Sequence, residues 1–363
     1  MTAVNERIRI EPLQLEELPR SPSVSIAIIC FNYGRFLVEC LDSCLAQTHR
    51  PDEIVVANDG STDETAQILD AYAARAPQVR PIHQANAGIC SATNTALAAC
   101  TGDVVLLLDA DDALEPQRTE KVLAALRRRV DGLLPGWVHH RMQRFSEQIP
   151  DLGQAPYYPG GSGPEGWLAA RAVDAAVSPV SSLTSALAFR IEVVRMIGKL
   201  DTDRLMYQDT QLIAAATLLS PAAWIGEPLT RYRVHGASAS TGMMASVETI
   251  SATRKRAERS DVWLRQQLDK IEPGAARLWR PLDDQGAYLW LTFLERWLSG
   301  AGKDFRLLWK VLRHPDTRHS AAQNRVYYYG GVVLPRAAFV SYSRLVFGNS
   351  ALKTRLRKWM GRR

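Results

Sequence analysis

Nine residues, Val104-Val-Leu-Leu-Leu-Asp-Ala-Asp-Asp112, constrain the fold of this 363-residue chain more than any other stretch. Five apolar residues in a row, two of them β-branched, predict a strand buried on both faces, as in a parallel sheet. Three carboxylates then arrive within four positions. That much negative charge does not stay inside a protein unless it is paired or bound to a cation. The C-terminal end of the strand accommodates it, in the crevice where open α/β sheets take ligands. On an extended backbone Asp109 and Asp111 share a side. Two carboxylates on one side suit Mg²⁺ or Mn²⁺ carrying the phosphates of a substrate. The alternative is a solvated acidic turn that caps a following helix.

The preceding hundred residues repeat one unit. Ser23–Cys30 predicts a first strand, ending in Phe31-Asn-Tyr-Gly34, and Arg35–Gln47 a helix with Phe36, Leu37, Cys40, Leu41, Cys44 and Leu45 at helical spacing. Glu53–Ala57 predicts a second strand, followed by the Gly turn Asn58-Asp-Gly-Ser-Thr-Asp63 and a helix over Glu64–Ala74. A third strand lies around Val79–His83, and Asn86-Ala-Gly88 opens another helix, Ile89–Ala99. Alternating strands and helices predict a doubly wound sheet, and right-handed crossovers put every strand's C-terminal turn on one edge. Asn32, Asp59 and Asp109 should therefore converge. Asp59 either accepts hydrogen bonds from a nucleoside, with Phe31 or Tyr33 on the ring, or forms an Asx turn that shapes the backbone. No Gly-x-Gly-x-x-Gly follows the first strand and no Gly-Lys-Ser/Thr loop is present, which excludes the usual dinucleotide and P-loop sites.

These segments resemble the family-two glycosyltransferases of GT-A fold. The matching stretches, in order, are Cys30-Phe-Asn-Tyr33, Asn58–Asp63, Asn86-Ala-Gly88 with Asn94, and Leu106–Asp112. Further on, Tyr207-Gln-Asp-Thr-Gln-Leu212 is similar to the family's Glu-Asp-x-x-Leu segment. Arg231-Tyr-Arg-Val-His235, with Ser238 and Ser240, is similar to its Tyr-Arg-x-His-x-x-Ser-x-Ser segment. The resemblance implies a GT-A type mixed sheet and inverting transfer of a sugar from a nucleotide-sugar, usually a UDP-sugar. It implies that Asp59 contacts the nucleoside, with Phe31, Asn32, Asn86 and Asp109 beside it. It implies that Asp109 and Asp111 hold ribose and metal, that His235 approaches the metal or diphosphate, and that Asp209 is the catalytic base. The chain departs from the pattern at Thr93, where an Arg is common, at Ala96, where a Gly is common, and at Gln208 in place of Glu.

Three regions follow: a loose leader over 1–22, a transferase domain over 23–245 with halves 23–126 and 127–245, and a helical region over 246–363. The stretch from Val130 to Ser185, rich in Gly, Pro, Trp and Tyr, reads as loops flanking an acceptor cleft. Its Trp137, Trp167 and Tyr157 either stack on sugars or pack. Ser181–Arg190 predicts a returning strand. The five cysteines, odd in number and set among apolar residues, predict reduced core positions in a cytosolic protein. No signal-peptide pattern or membrane-spanning run is visible.

Charge is divided unevenly. Residues 251–363 carry 23 Lys and Arg against 9 Asp and Glu, while residues 1–250 carry 21 against 29. With Tyr and Trp among the basic residues, the C-terminal region suits the surface of an anionic membrane leaflet. No nucleic-acid-reading motif accompanies the charge. The expected protein is a transferase at the cytoplasmic face of a membrane, extending a glycan or lipid-linked acceptor. A non-catalytic membrane-associated scaffold of the same fold and a sugar-phosphate nucleotidyltransferase are the alternatives.

Overall fold

The computed structural model describes residues 10–156, 158, 161–235, 246–318, 330–331 and 333–347. These divide into two compact units, Met1–Val234 with Trp263–Trp279, and His235–Val262 with Arg280–Arg363.

The first unit is built on one mixed sheet. In chain order its elements are β1 (Val24–Cys30), α1 (Gly34–Leu45), β2 (Glu53–Asn58), α2 (Thr65–Arg75), β3 (Val79–His83), α3 (Ile89–Ala99), β4 (Val104–Asp109), β5 (Ala113–Leu114) and α4 (Arg118–Arg127). Then come β6 (Trp137–Phe145), β7 (Gln154–Ala155), α5 (Ala169–Ala175), β8 (Leu187–Arg190), α6 (Ile191–Ile197), α7 (Gln208–Leu219) and β9 (Ala222–Arg233). The strand order is β3-β2-β1-β4-β8-β6-β9-β5, with β7 on β6. β3, β2, β1 and β4 run parallel, and β8 joins β4 antiparallel. Side-chain alternation splits the parallel strands between two cores. Ala27, Ile29, Val105 and Leu107 face the layer of α3, α6 and α7, whereas Ile26, Ile28, Leu106 and Leu108 face α1 and α4. Register brings the strand ends level: Cys30 lies opposite Asn58, and Ile29 opposite Asp109. All five cysteines are buried and free.

Two expectations need correction. The stretch expected to be loops contains β6, nine residues long, paired in parallel with β9. Its polar content, His139-His-Arg-Met-Gln-Arg144, hid a strand whose first four residues are buried. The returning strand is shorter than 181–190, because Thr184–Ala186 form a 3₁₀ turn before β8 begins. Trp137 is fully buried and stacks on Phe189 at 6.2 Å, so it is a packing residue. Trp167 packs partly buried against the same core, and Tyr157 lies outside the described residues. Residues 10–22 have no helix or strand, yet Leu18 is buried and Leu13 N–H donates to Leu219 C=O at 2.8 Å.

Both histidines of β6 are held neutral. His139 Nε2–H donates to Pro164 C=O (2.8 Å). His140 Nδ1–H donates to Arg141 C=O (2.7 Å), leaving Nε2 to accept from Arg118 (3.0 Å). Burial pulls His139 down to about 4 and holds His140 well below the usual imidazole value. The folded pKa lies below the unfolded one, so the unfolded chain binds more protons between the two. Stability is full above about pH 6.5 and is lost as pH falls towards 4, by about 3 kcal/mol for His139. Urea denaturation at pH 7 and pH 5 should show this fall, and His139→Gln should flatten it. An unchanged slope in the variant would contradict the assignment.

In the second unit, α8 (Val247–Ile271) supplies its first part as far as Val262. α9 (Gly286–Arg296) and α10 (Phe305–Arg313) follow. Trp290, Phe293, Trp297, Leu308, Val311 and Phe339 form its core. Among the described residues no helix is long and apolar enough to cross a membrane.

Candidate active site

β4 delivers Asp109 to the C-terminal edge of the sheet, where Ala110 N–H donates to Ile29 C=O (3.2 Å). The chain then turns, with Asp112 N–H on Asp109 C=O (3.0 Å), and β5 pairs at once with β9, Ala113 opposite Arg231. This leaves Asp111 and Asp112 buried. Asp112 accepts from Arg233 N–H (2.8 Å), and Arg233 Nε donates to Asp111 C=O (2.9 Å). The Arg233 guanidinium also reaches Glu39 of α1 and lies over the rings of Phe36 and Phe145.

The carboxylates compress one another. Burial, then the charges of Asp111, Asp112 and Asp209, push the Asp109 carboxyl well above its usual range, against a hydrogen bond from Thr184. Burial and Asp111 do the same to Asp112, against Ser185 and Arg233. A cation would relieve this crowding. Among the described residues no group of three or more His, Cys, Asp or Glu is arranged to hold a metal ion. Two carboxylates without a full protein cage are the donor set that Mg²⁺ uses when substrate phosphates complete its shell. The crowded Asp109 and the buried Asp111 are the pair that would hold such an ion.

The turns after β1 and β2 meet beside this cluster. Asp59 is buried; it accepts from Gln84 Nε2 (2.7 Å) and from the N–H groups of Ala87 and Gly88 (2.9 Å each). Its carboxylate thus shapes the 84–88 loop. Asn86 Nδ2 donates to Asp59 C=O (3.0 Å), and its Oδ1 accepts from Arg204 (3.2 Å). Asn32, at φ +55, accepts from Thr62 N–H (2.8 Å). Gly60 at φ +72 cannot be replaced, because a Cβ there would stand 2.7 Å from Asn86 N. Phe31 is exposed at the edge. A cavity of about 200 Å³ opens next to this loop, lined by Gly88, Ile89, Cys90, Thr202, Asp203, Arg204 and Met206.

Asp209 sits in the first turn of α7, half-buried, its Oδ1 accepting from Thr210 N–H. It is close enough to bear on the charge of Asp109. The neighbouring Gln208 is buried, and its Nε2 donates to Thr184 Oγ1 (2.8 Å); Thr184 in turn bonds Asp109. Gln208 in place of Glu therefore removes a carboxylate from a place already crowded with them. His235 follows β9 by two residues and belongs to the second unit; Ser238 and Ser240 lie outside the described residues.

Sequence reasoning missed Arg118. Its side chain is fully buried, and it donates to His140 Nε2 and to the carbonyls of Leu107 and Leu187, each at 3.0 Å. β4 and β8 pair only as far as Leu106 opposite Ala188. Past that point they part, and Arg118 satisfies the carbonyls left over. Thr184 and Ser185 enter the gap, where Ser185 Oγ accepts from Asp109 N–H (3.0 Å). Nothing in the sequence marks Arg118, which follows Pro116-Gln117 as an ordinary surface helix residue would.

The sequence profile of Glycosyl transferase family 2 matches residues 25–172, which hold the sheet edge and the acid cluster. The chain carries a family 2 glycosyltransferase domain. An uncharacterized glycosyltransferase of Nostoc sp. is 29% identical over 264 residues, covering 69% of this chain and 77% of that protein. Chondroitin synthase of Escherichia coli is 42% identical over 118 residues, 32% of this chain and only 17% of the synthase. The solved structure of S. aureus TarS 1-349 with UDP-GlcNAc aligns with TM-score 0.48 at 17% identity, over 93% of this chain and 92% of that one. The mixed sheet agrees with the one the resemblance implied, and a helical C-terminal region follows it as the sequence pattern predicted. The match favours a glycosyltransferase over the nucleotidyltransferase alternative.

Proposed function

We propose that this protein transfers a sugar, with inversion, from a nucleotide-sugar, a UDP-sugar, to a hydroxyl of a glycan or lipid-linked acceptor in surface polysaccharide synthesis. One observation carries the reading: the charge of Asp209, from the first turn of α7, bears on Asp109, and its neighbour Gln208 is tied to Asp109 through Thr184. The turns that carry Phe31 and Asn32, Asp59, and Asn86 would together take the nucleoside. Asp109 and Asp111 would hold Mg²⁺ or Mn²⁺. Bound there, the ion would supply positive charge to the leaving diphosphate. Asp209 would remove the acceptor's proton as the new glycosidic bond forms. Gln208 keeps Asp209 free of a second adjacent negative charge. Arg204, over the cavity beside Asn86, is available to an anionic group. The basic C-terminal region would bring the enzyme to the anionic cytoplasmic face of a membrane, where lipid-linked acceptors are found. The similarity to chondroitin synthase supports a glycan as product.

Titration calorimetry with UDP tests the donor site. UDP should bind more tightly with Mn²⁺ than without it, and Asp111→Asn should abolish the difference. Equal affinities with and without metal would remove the support for catalysis and leave the scaffold alternative standing.

A further inference from the structure

α10 presents two unlike faces. Leu308 and Val311 are buried in the second unit's core. The opposite stripe carries Phe305, Arg306, Trp309, Lys310 and Arg313, all exposed. Phe305 is 67% exposed and Trp309, one turn on, 57%. Single exposed apolar residues are ordinary on soluble proteins. Two large aromatics a turn apart, between three cations and on a helix without one carboxylate, are not.

The geometry is preset. Asp304 caps the helix, accepting from Leu307 N–H (3.0 Å), and Leu308 and Val311 anchor it in the core. The Arg313 guanidinium lies 4.3 Å over the Trp309 ring, and Lys310 Nζ donates to Asp283 C=O (2.9 Å). No carboxylate neutralises either cation in these contacts, and both stay beside the aromatic pair. We propose that this stripe is where the protein docks on an anionic lipid bilayer, with Phe305 and Trp309 entering the headgroup–acyl boundary and Arg306, Lys310 and Arg313 on lipid phosphates. Charge complementarity selects the occupant: a bilayer of acidic lipids matches a helix face that offers three cations and two rings and carries no acid of its own. The inference rests on the membrane contact proposed above and assigns it to one helix.

Flotation of the full-length chain with vesicles tests it, using phosphatidylglycerol mixed with phosphatidylcholine, and phosphatidylcholine alone. The wild type should float with the acidic vesicles only. Arg306→Gln, Lys310→Gln and Arg313→Gln should each lower binding about fivefold, and Phe305→Ser with Trp309→Ser should abolish it. Quenching by lipids brominated in the acyl chain should be present in the wild type and reduced in the conservative Trp309→Phe, a check that does not depend on how the double variant folds. If the variants float as well as the wild type, the membrane contact stands and the assignment to α10 falls. If the wild type does not float at all, both fall. If the aromatic variants bind lipid unchanged but lose self-association on sizing, the stripe is a contact between copies of this chain.

Discussion

Asp209→Asn is expected to lower turnover by about 100- to 10,000-fold, the range typical of a lost general base, while UDP binding is retained. The separation follows from the site's electrostatics. Asp209 adds to the negative charge that works against ionisation of Asp109. Removing it therefore leaves Asp109 at least as able to hold a cation, so the loss should fall on kcat. Alanine at the same position should behave alike, because it too removes the carboxylate from the first turn of α7. Transfer assays across nucleotide-sugars, run beside UDP titration, measure both quantities. Turnover equal to wild type would reject Asp209 as the base.

Arg118→Met is expected to destabilise the first unit by about 3 kcal/mol. Burial works against the charged guanidinium, pulling it down to about 10, so the substitution relieves that part of the cost. But it strips donors from three buried acceptors: His140 Nε2, Leu107 C=O and Leu187 C=O. Lys should recover only part of the loss, since a single ammonium does not reproduce the planar fork of guanidinium. Urea denaturation reads the effect. A loss below about 1 kcal/mol would mean that the gap between β4 and β8 closes or hydrates without Arg118.

The parallel half of the sheet was legible because each of its strands is a short apolar run ending at a turn of Asn, Asp or Gly. β1, β2, β3 and β4 fall where those runs fall. The acid cluster was legible for the same reason, since charge that follows a buried strand has few places to go. β6 was not legible. Its His139, His140 and Arg141 look like loop chemistry, and they become strand residues only when Pro164, Arg118 and Gly161 satisfy them. The short 3₁₀ turn Thr184–Ala186 was equally hidden, because its role depends on a gap opened by a residue some seventy positions away.

The chain's own order of apolar runs and acidic turns determined that four strands would lie parallel and that Asn32, Asp59 and Asp109 would reach one edge. Local periodicity and handedness suffice for that. Tertiary structure alone decided what surrounds those acids: Arg233 from β9 over Asp111 and Asp112, Thr184 and Ser185 at Asp109, and Gln208 behind them. A buried charge takes its partners from whatever segment the fold brings within hydrogen-bond reach, and that distance in space is not written in distance along the chain.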